Sequence, residues 1–340
     1  MKIYQRFGVN SKRDRWKYTN FKATTFICLA LALAAILSLC LGAVPLSLQQ
    51  IWRALLDSND TTNRAIVLDL RLPRTLAAML VGAALGTSGS LLQGMLRNGL
   101  ADPFLLGISA GAGLAAITLI ISGMFLVWIP LFAWLGAMLT TLLVYALAWT
   151  PLGISVQRLI LGGVAISALF GAVSSILLLF SEERVQVALT WLIGSLNNRG
   201  WSEVGAVAPY ISIGLLLSLT LARSLNLLSL GDDMAVTLGA SLGQSRLLIG
   251  GLAALLTAGA VSISGLIGFV GLIVTHVVRL LVGNNYYMVL PLSAVAGALL
   301  MTLADVIARL GAVELPVGAI TSLLGAPFFV WLLYRRSSIE

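Results

Sequence analysis

The sequence predicts an all-α polytopic membrane protein, one unit that crosses the bilayer about ten times. Three observations carry this. Hydrophobic residues fill 59% of 340 positions, and mean hydropathy is +1.00. Charged residues are only 10%, against about 25% in an ordinary soluble domain. Long apolar runs recur along the chain, with room for roughly ten crossings at about 20 residues each. Backbone amides in lipid must be satisfied within the segment, and alternating barrel strands are absent, so the spans are read as helices.

Residues 1–22 are basic and polar, with Lys2, Arg6, Lys12, Arg13, Arg15, Lys17 and Lys22. No small-x-small cleavage site follows the apolar run from Ala23 to Val44, so that run is read as an uncleaved first span. Further spans are expected at 74–96, 104–122, 126–149, 157–180, 204–222, 245–263, 265–283, 289–310 and 316–334. Cys28 and Cys40 both lie in the first run, roughly 18 Å apart along a helix, too far to pair with each other. Polar outer connections are expected at 45–72, with Asp57, Asp60, Asp69 and Arg71, and at 181–203, with Glu182, Glu183 and Arg184. A third is short, Gly311–Leu315, just beyond Asp305 and Arg309. Ten crossings put both termini on one side. Placing that side in the cytoplasm leaves 14 of the lysines and arginines there and seven outside, which satisfies the positive-inside rule.

Between the sixth and seventh spans lies RSLNLLSLGDDMAVTLGASLGQSR, residues 223–246. Its apolar residues Leu227, Leu228, Leu230, Met234, Val236 and Leu238 recur at helical spacing, interrupted by Gly231 and Gly239. That pattern reads as two short amphipathic helices outside the hydrocarbon with an apolar face for a partner; the competing reading is a solvated loop. Glycine, 34 residues in all, clusters in GAALGTSG (82–89), GISAGAG (107–113) and 250–271. Small residues let membrane helices approach closely, and related patterns in the second and seventh spans point to an inverted repeat.

Several chemistries are excluded. All four lysines precede the first span, so a phosphate-cradling P-loop is absent. One histidine, His276, cannot build a multi-histidine metal centre. Within the spans, Asp305 and Arg309 stand one turn apart and can satisfy each other. An ion-coupled secondary carrier, the alternative reading, would need more buried ionisable groups. No basic-aromatic interleaving suggests nucleic acid.

RLPR (71–74), GAALGTSGSLLQGMLRNGLADPFLLGIS (82–109), LGDDMAVTLG (230–239), GFVGLIVTHVVR (268–279) and ELPVGAITSLLGAPFFVWLL (314–333) together resemble the FecCD-type permeases of ABC importers for ferric siderophores, haem and cobalamin. The resemblance implies a type II importer fold, a second permease subunit (identical or paralogous), two cytoplasmic P-loop ATPases that bind the ATP and Mg, and a periplasmic or lipoprotein solute-binding protein. It implies no cofactor and no catalysis within this chain, an inner-membrane location, and a ferric siderophore-type chelate as first choice of cargo. By motif, Arg71 and Arg309 would receive the binding protein. Leu230, Gly231, Asp232, Asp233, Ala235, Leu238 and Gly239 would couple to the ATPase, while Asn98, Leu100, Val156 and Gln157 would form a cytoplasmic gate. Weakly polar Ser88, Ser90, Gln93, Ser109 and Ser167 are expected along the path. The chain departs from the family at Gly99 and Thr275, where proline is common, so gate rigidity and a kink near the end of the eighth span are in question.

Overall fold

The computed structural model describes residues 5–42, 44–56, 61–123, 126–151, 153–180, 184–311 and 313–337, with side chains between 22 and 334 other than 126 and 333. Asp57, Asp60, Glu182 and Glu183 lie outside the described residues, as do the N-terminal basic side chains before Lys22.

Helices dominate. In order they are α1 (Gln5–Cys40), α2 (Leu48–Leu56), α3 (Thr61–Arg64), α4 (Leu72–Leu96), α5 (Ile108–Ser122), α6 (Ile129–Ala148), α7 (Val156–Leu179), α8 (Val185–Ile193), α9 (Trp201–Thr220), α10 (Ala222–Leu228), α11 (Asp232–Thr237), α12 (Leu242–Ser264), α13 (Val270–Val282), α14 (Tyr286–Ala308) and α15 (Val317–Ser337). A two-residue hairpin, Trp149–Thr150 against Gly153–Ile154, joins α6 to α7. Among the described residues seven helices are long and apolar enough to cross a membrane, and three apolar ones are shorter, in α5, α13 and α15. The ten coincide with the ten expected spans.

Two expected boundaries change. The basic N-terminal segment continues the first span as one helix, which ends at Cys40 rather than Val44. The eighth span is not a full helix: α13 has 13 residues, about 20 Å, too short for a core of about 30 Å. Residues 265–268 before it are non-helical. Such backbone is tolerated at membrane depth only where protein covers it. Here the Ser195 N–H donates to the Ser264 carbonyl and the Gly318 N–H to the Gly194 carbonyl, 2.8 and 3.1 Å, tying this break to the ends of α8 and α15.

Helix α4 is the axis of the fold, buried along nearly all its length. Its glycines explain how. A Cβ on Gly82 would fall on the backbone of Gly297 in α14, and one on Gly89 on Gly271 in α13; only the absence of side chains lets these backbones touch. Ser88 pairs with Thr257 of α12 at 2.6 Å, and Ser90 with Thr275 of α13 and Ser293 of α14 at 2.9 and 2.7 Å. Successive partners run up α12 and α14 as α4 runs down, so α4 is antiparallel to both, as alternating crossings require. The small-residue packing expected for the glycine clusters is therefore present, and the second and seventh spans pack directly on each other.

Preceding α4, Ala65–Arg71 forms a widened π-helical turn in which the Leu72 N–H reaches the Val67 carbonyl. Pro73 follows in the first turn of α4 and has no N–H to give. Such a turn re-aims side chains, and Arg71 and Arg74 flank it.

Candidate functional site

At one end of the bundle α10 and α11 form the two short helices expected from 223–246, broken at Gly231 and Gly239, both in the left-handed region (φ 107° and 85°). Leu225 and Leu228 of α10 and Ala235 of α11 are fully buried and seat the pair on the bundle. Leu230, Met234, Val236 and Leu238 are each more than half exposed. Ala235 thus faces inward and supports this surface rather than belonging to it. Asp233 is exposed. Asp232 turns back: its carboxylate accepts from Arg97 Nη2 at 3.0 Å and from Arg246 Nη2 at 2.7 Å.

Those arginines lead to the two segments expected to form a gate. Arg97 caps α4 in a left-handed conformation and immediately precedes Asn98, whose Oδ1 accepts from the Leu100 N–H at 2.9 Å across Gly99. Arg246 donates from Nη1 to the Ile154 carbonyl at 3.0 Å, in the hairpin two residues before Val156. The Ser155 hydroxyl caps α7; Val156 is half-buried and Gln157 exposed.

The opposite end carries a buried charge cluster. Asp305, with no exposure, accepts from Arg74 Nη2 at 2.8 Å and from Arg309 Nη2 at 3.0 Å. Arg74 also pairs with Glu314, and Arg309 donates to the Ser38 hydroxyl at 2.7 Å. Arg71 donates to the carbonyls of Leu39, Cys40 and Val44, binding the end of α1. Arg71 and Arg309 do come together, on one cavity of about 620 Å³ also lined by Arg74, Arg199, Asn197 and Glu314. Both are largely buried there. Arg74 and Glu314 belong to this site and were missed by reading Asp305 and Arg309 as a local pair. Burial lowers the Arg199 pKa, with Glu203 opposing.

Between the two ends is an apolar cavity of about 560 Å³, bounded by Leu100, Phe104, Leu192, Leu266, Phe269 and Ser322 among others, with Asp102 as its charged side chain. Asp102 lies in the connection between α4 and α5, where it caps the Phe104 N–H at 3.0 Å. Burial pushes its carboxyl up to about 6 against the pull of that hydrogen bond. Ser88 and Ser90 are wholly enclosed in helix contacts, Gln93 reaches the Gly271 carbonyl at 3.5 Å, and Ser109 is buried. Ser167 is half-exposed. Thr275 lies mid-helix, not at the end of the eighth span, and His276 stacks edge-on against Phe328 at 5.8 Å.

With this geometry in view, the comparisons with known proteins are direct. The profile of the FecCD transport family matches residues 30–335. This chain belongs to that family. Among FecCD relatives, the Fe(3+) dicitrate transport system permease FecD of Escherichia coli is 42% identical over 91% of this chain and 97% of its own length. The hemin transport system permease HmuU of Yersinia pestis is 39% identical over 92% and 95%. The cobalamin import system permease BtuC of Halobacterium salinarum is 41% identical over 81% and 75%. A solved metal-chelate type ABC transporter in an inward-facing conformation superimposes with a TM-score of 0.84 at 34% identity, covering 92% of this chain and 99% of that one. The chain is accordingly a multi-pass permease of the ABC importer class, and the FecCD assignment accounts for its ten apolar helices and the exposed α11 together. Asp305 is paired with Arg74 and Arg309, and nothing in the comparisons favours an ion-coupled carrier.

Proposed function

We propose that this permease moves a ferric chelate inward across the plasma membrane, driven by separate ATPase subunits on its α10–α11 face. The observation that carries this reading is the surface made by Leu230, Met234, Val236 and Leu238. Four large apolar side chains outside the hydrocarbon, three of them between the left-handed Gly231 and Gly239 and braced by buried Ala235, fit a protein partner better than water. The chain ends support putting that face in the cytoplasm: α1 reaches Arg309 with its C-terminal end, so its N-terminal end and the end of α15 both lie toward α11. The arginine-rich cavity then faces outward, where Arg71, Arg74, Arg199 and Arg309 suit the acidic side chains of a binding protein and steer its docking. The apolar cavity lined by Phe104 and Phe269, closed by a second permease, is the candidate path.

A ferric chelate is the favoured cargo because FecD, among the most similar relatives, is a dicitrate permease; haem and cobalamin relatives follow closely. Reconstitution with the ATPase and binding protein tests the reading. Uptake of radiolabelled ferric citrate should require ATP and be lost when Met234 and Leu238 are both replaced by Asp. Uptake that proceeds without any ATPase, and collapses with an uncoupler, overturns it.

A further inference from the structure

The geometry points to Asp232 as the joint that carries movement of α11 to both gate segments at once, a positioning role distinct from docking. This rests on the reading that an ATPase seats on α11. Asp232 and Asp233 are neighbours, yet they do different things. Asp233 faces away from the bundle, whereas each carboxylate oxygen of Asp232 is held by a different arginine, Arg97 at 3.0 Å and Arg246 at 2.7 Å. Arg97 is the last residue before the Asn98–Leu100 turn. Arg246 holds the Ile154 carbonyl with its other nitrogen, and its own carbonyl accepts from the Tyr145 hydroxyl at 3.1 Å. That hydroxyl also lies 3.8 Å from the Met95 sulfur in α4.

One carboxylate therefore closes a circuit of four elements: α11, the end of α4, the start of α12 and the hairpin into α7. A guanidinium donates in a fixed planar fork, so shifting α11 either moves both arginines or breaks their bonds. The site is built to do either. Arg246 is nearly buried while Asp232 and Arg97 remain about 40% exposed, so one arm is anchored in the bundle and the other is free to part. Gly231 suits its place by backbone conformation, a φ of 107° that a side chain rarely adopts, while a Cβ there would meet Arg97 Nη1 at an ordinary contact distance of 3.4 Å.

The test compares Asp232→Asn and Asp232→Glu with the wild type in the reconstituted complex, measuring ATP hydrolysis and chelate uptake separately. Asp232→Asn should leave ATPase binding and hydrolysis near normal and lower uptake per ATP by about tenfold, the size of a typical coupling between sites. Asp232→Glu should restore most of the ratio. Arg97→Gln, on the exposed arm, gives a second route if Asp232→Asn folds poorly, with a smaller fall expected. A wild-type ratio in both Asp232→Asn and Arg97→Gln overturns the inference; so does a parallel loss of hydrolysis and uptake. Failure of the wild-type permease to bind the ATPase would instead overturn the docking reading beneath it.

Discussion

Two carboxylates in this molecule are each gripped by a pair of arginines, one at either end of the bundle. Asp305 sits between Arg74 and Arg309 with no exposed surface; Asp232 sits between Arg97 and Arg246 with about a third exposed. The chemistry is the same and the surroundings differ, so the mechanical consequences differ. At the Asp305 end, Glu314 and Ser38 complete a closed network joining α1, α4 and α14. Opening it would strand charges away from water, which costs about 3–5 kcal/mol when one partner is removed. At the Asp232 end, water can replace the exposed Arg97 arm, and an exposed pair contributes about 0–1 kcal/mol. The first is a clamp and the second a hinge contact. A permease driven from one end is served by that asymmetry.

The most severe test of this contrast removes the buried carboxylate. Asp305→Ala should destabilise the protein by about 3–5 kcal/mol, read as loss of thermal stability in detergent, while Asp232→Asn in the same assay should cost about 1 kcal/mol or less. Equal losses at the two ends would erase the distinction.

A second test is intermediate in size and concerns Asp102, the buried carboxyl between α4 and α5. Its folded pKa of about 6 lies above the ordinary 3.8. The folded protein therefore keeps the proton after the unfolded chain has released it, so stability falls as pH rises from about 3.8 to about 6 and levels off above. Asparagine retains an acceptor for the Phe104 N–H and cannot ionise. Asp102→Asn should raise stability at pH 7 by on the order of 1–3 kcal/mol and flatten that part of the pH profile. An unchanged profile would mean that the carboxyl is solvated in the working protein.

How much of this could be read from the sequence follows the range of each interaction. The ten apolar runs and the break at Gly231 are local, and they appear where hydropathy and turn chemistry put them. Asp305 looked self-sufficient because Arg309 is one turn away; its tighter hydrogen bonding, to Arg74, bridges 231 positions and has no local signature. The split roles of Asp232 and Asp233 were equally hidden, since adjacent residues on so short a helix have no periodicity to separate them. The seventh span ends within one residue of its expected boundary, but hydropathy ran unbroken through 265–269 and masked the late start of α13. There the informative residues were Gly265 and Phe269, both left-handed; the glycine was visible, but nothing marks a phenylalanine for that conformation. Ser88 and Ser90 are enclosed in helix contacts here, because small polar residues suit tight helix contacts as well as they suit a wet surface.

The smallest expected effect bears most directly on the hinge. Gly99, where the family resemblance leads to an expectation of proline, lies two residues from Arg97 and is bridged by the Asn98–Leu100 hydrogen bond. A Cβ there would meet nothing within 4 Å, and its φ lies outside the left-handed region, so neither space nor backbone conformation demands glycine. Restricting the unfolded chain should then make Gly99→Ala more stable by about 0.4–1 kcal/mol. If the inner end works by yielding, the same substitution should slow uptake while leaving ATPase binding intact, because it stiffens the turn through which Arg97 acts without touching either ion pair. Added stability with unaltered uptake would locate the compliance in the Asp232 contacts alone. A loss of stability would show that the turn adopts, in another state of the transport cycle, a conformation only glycine can reach.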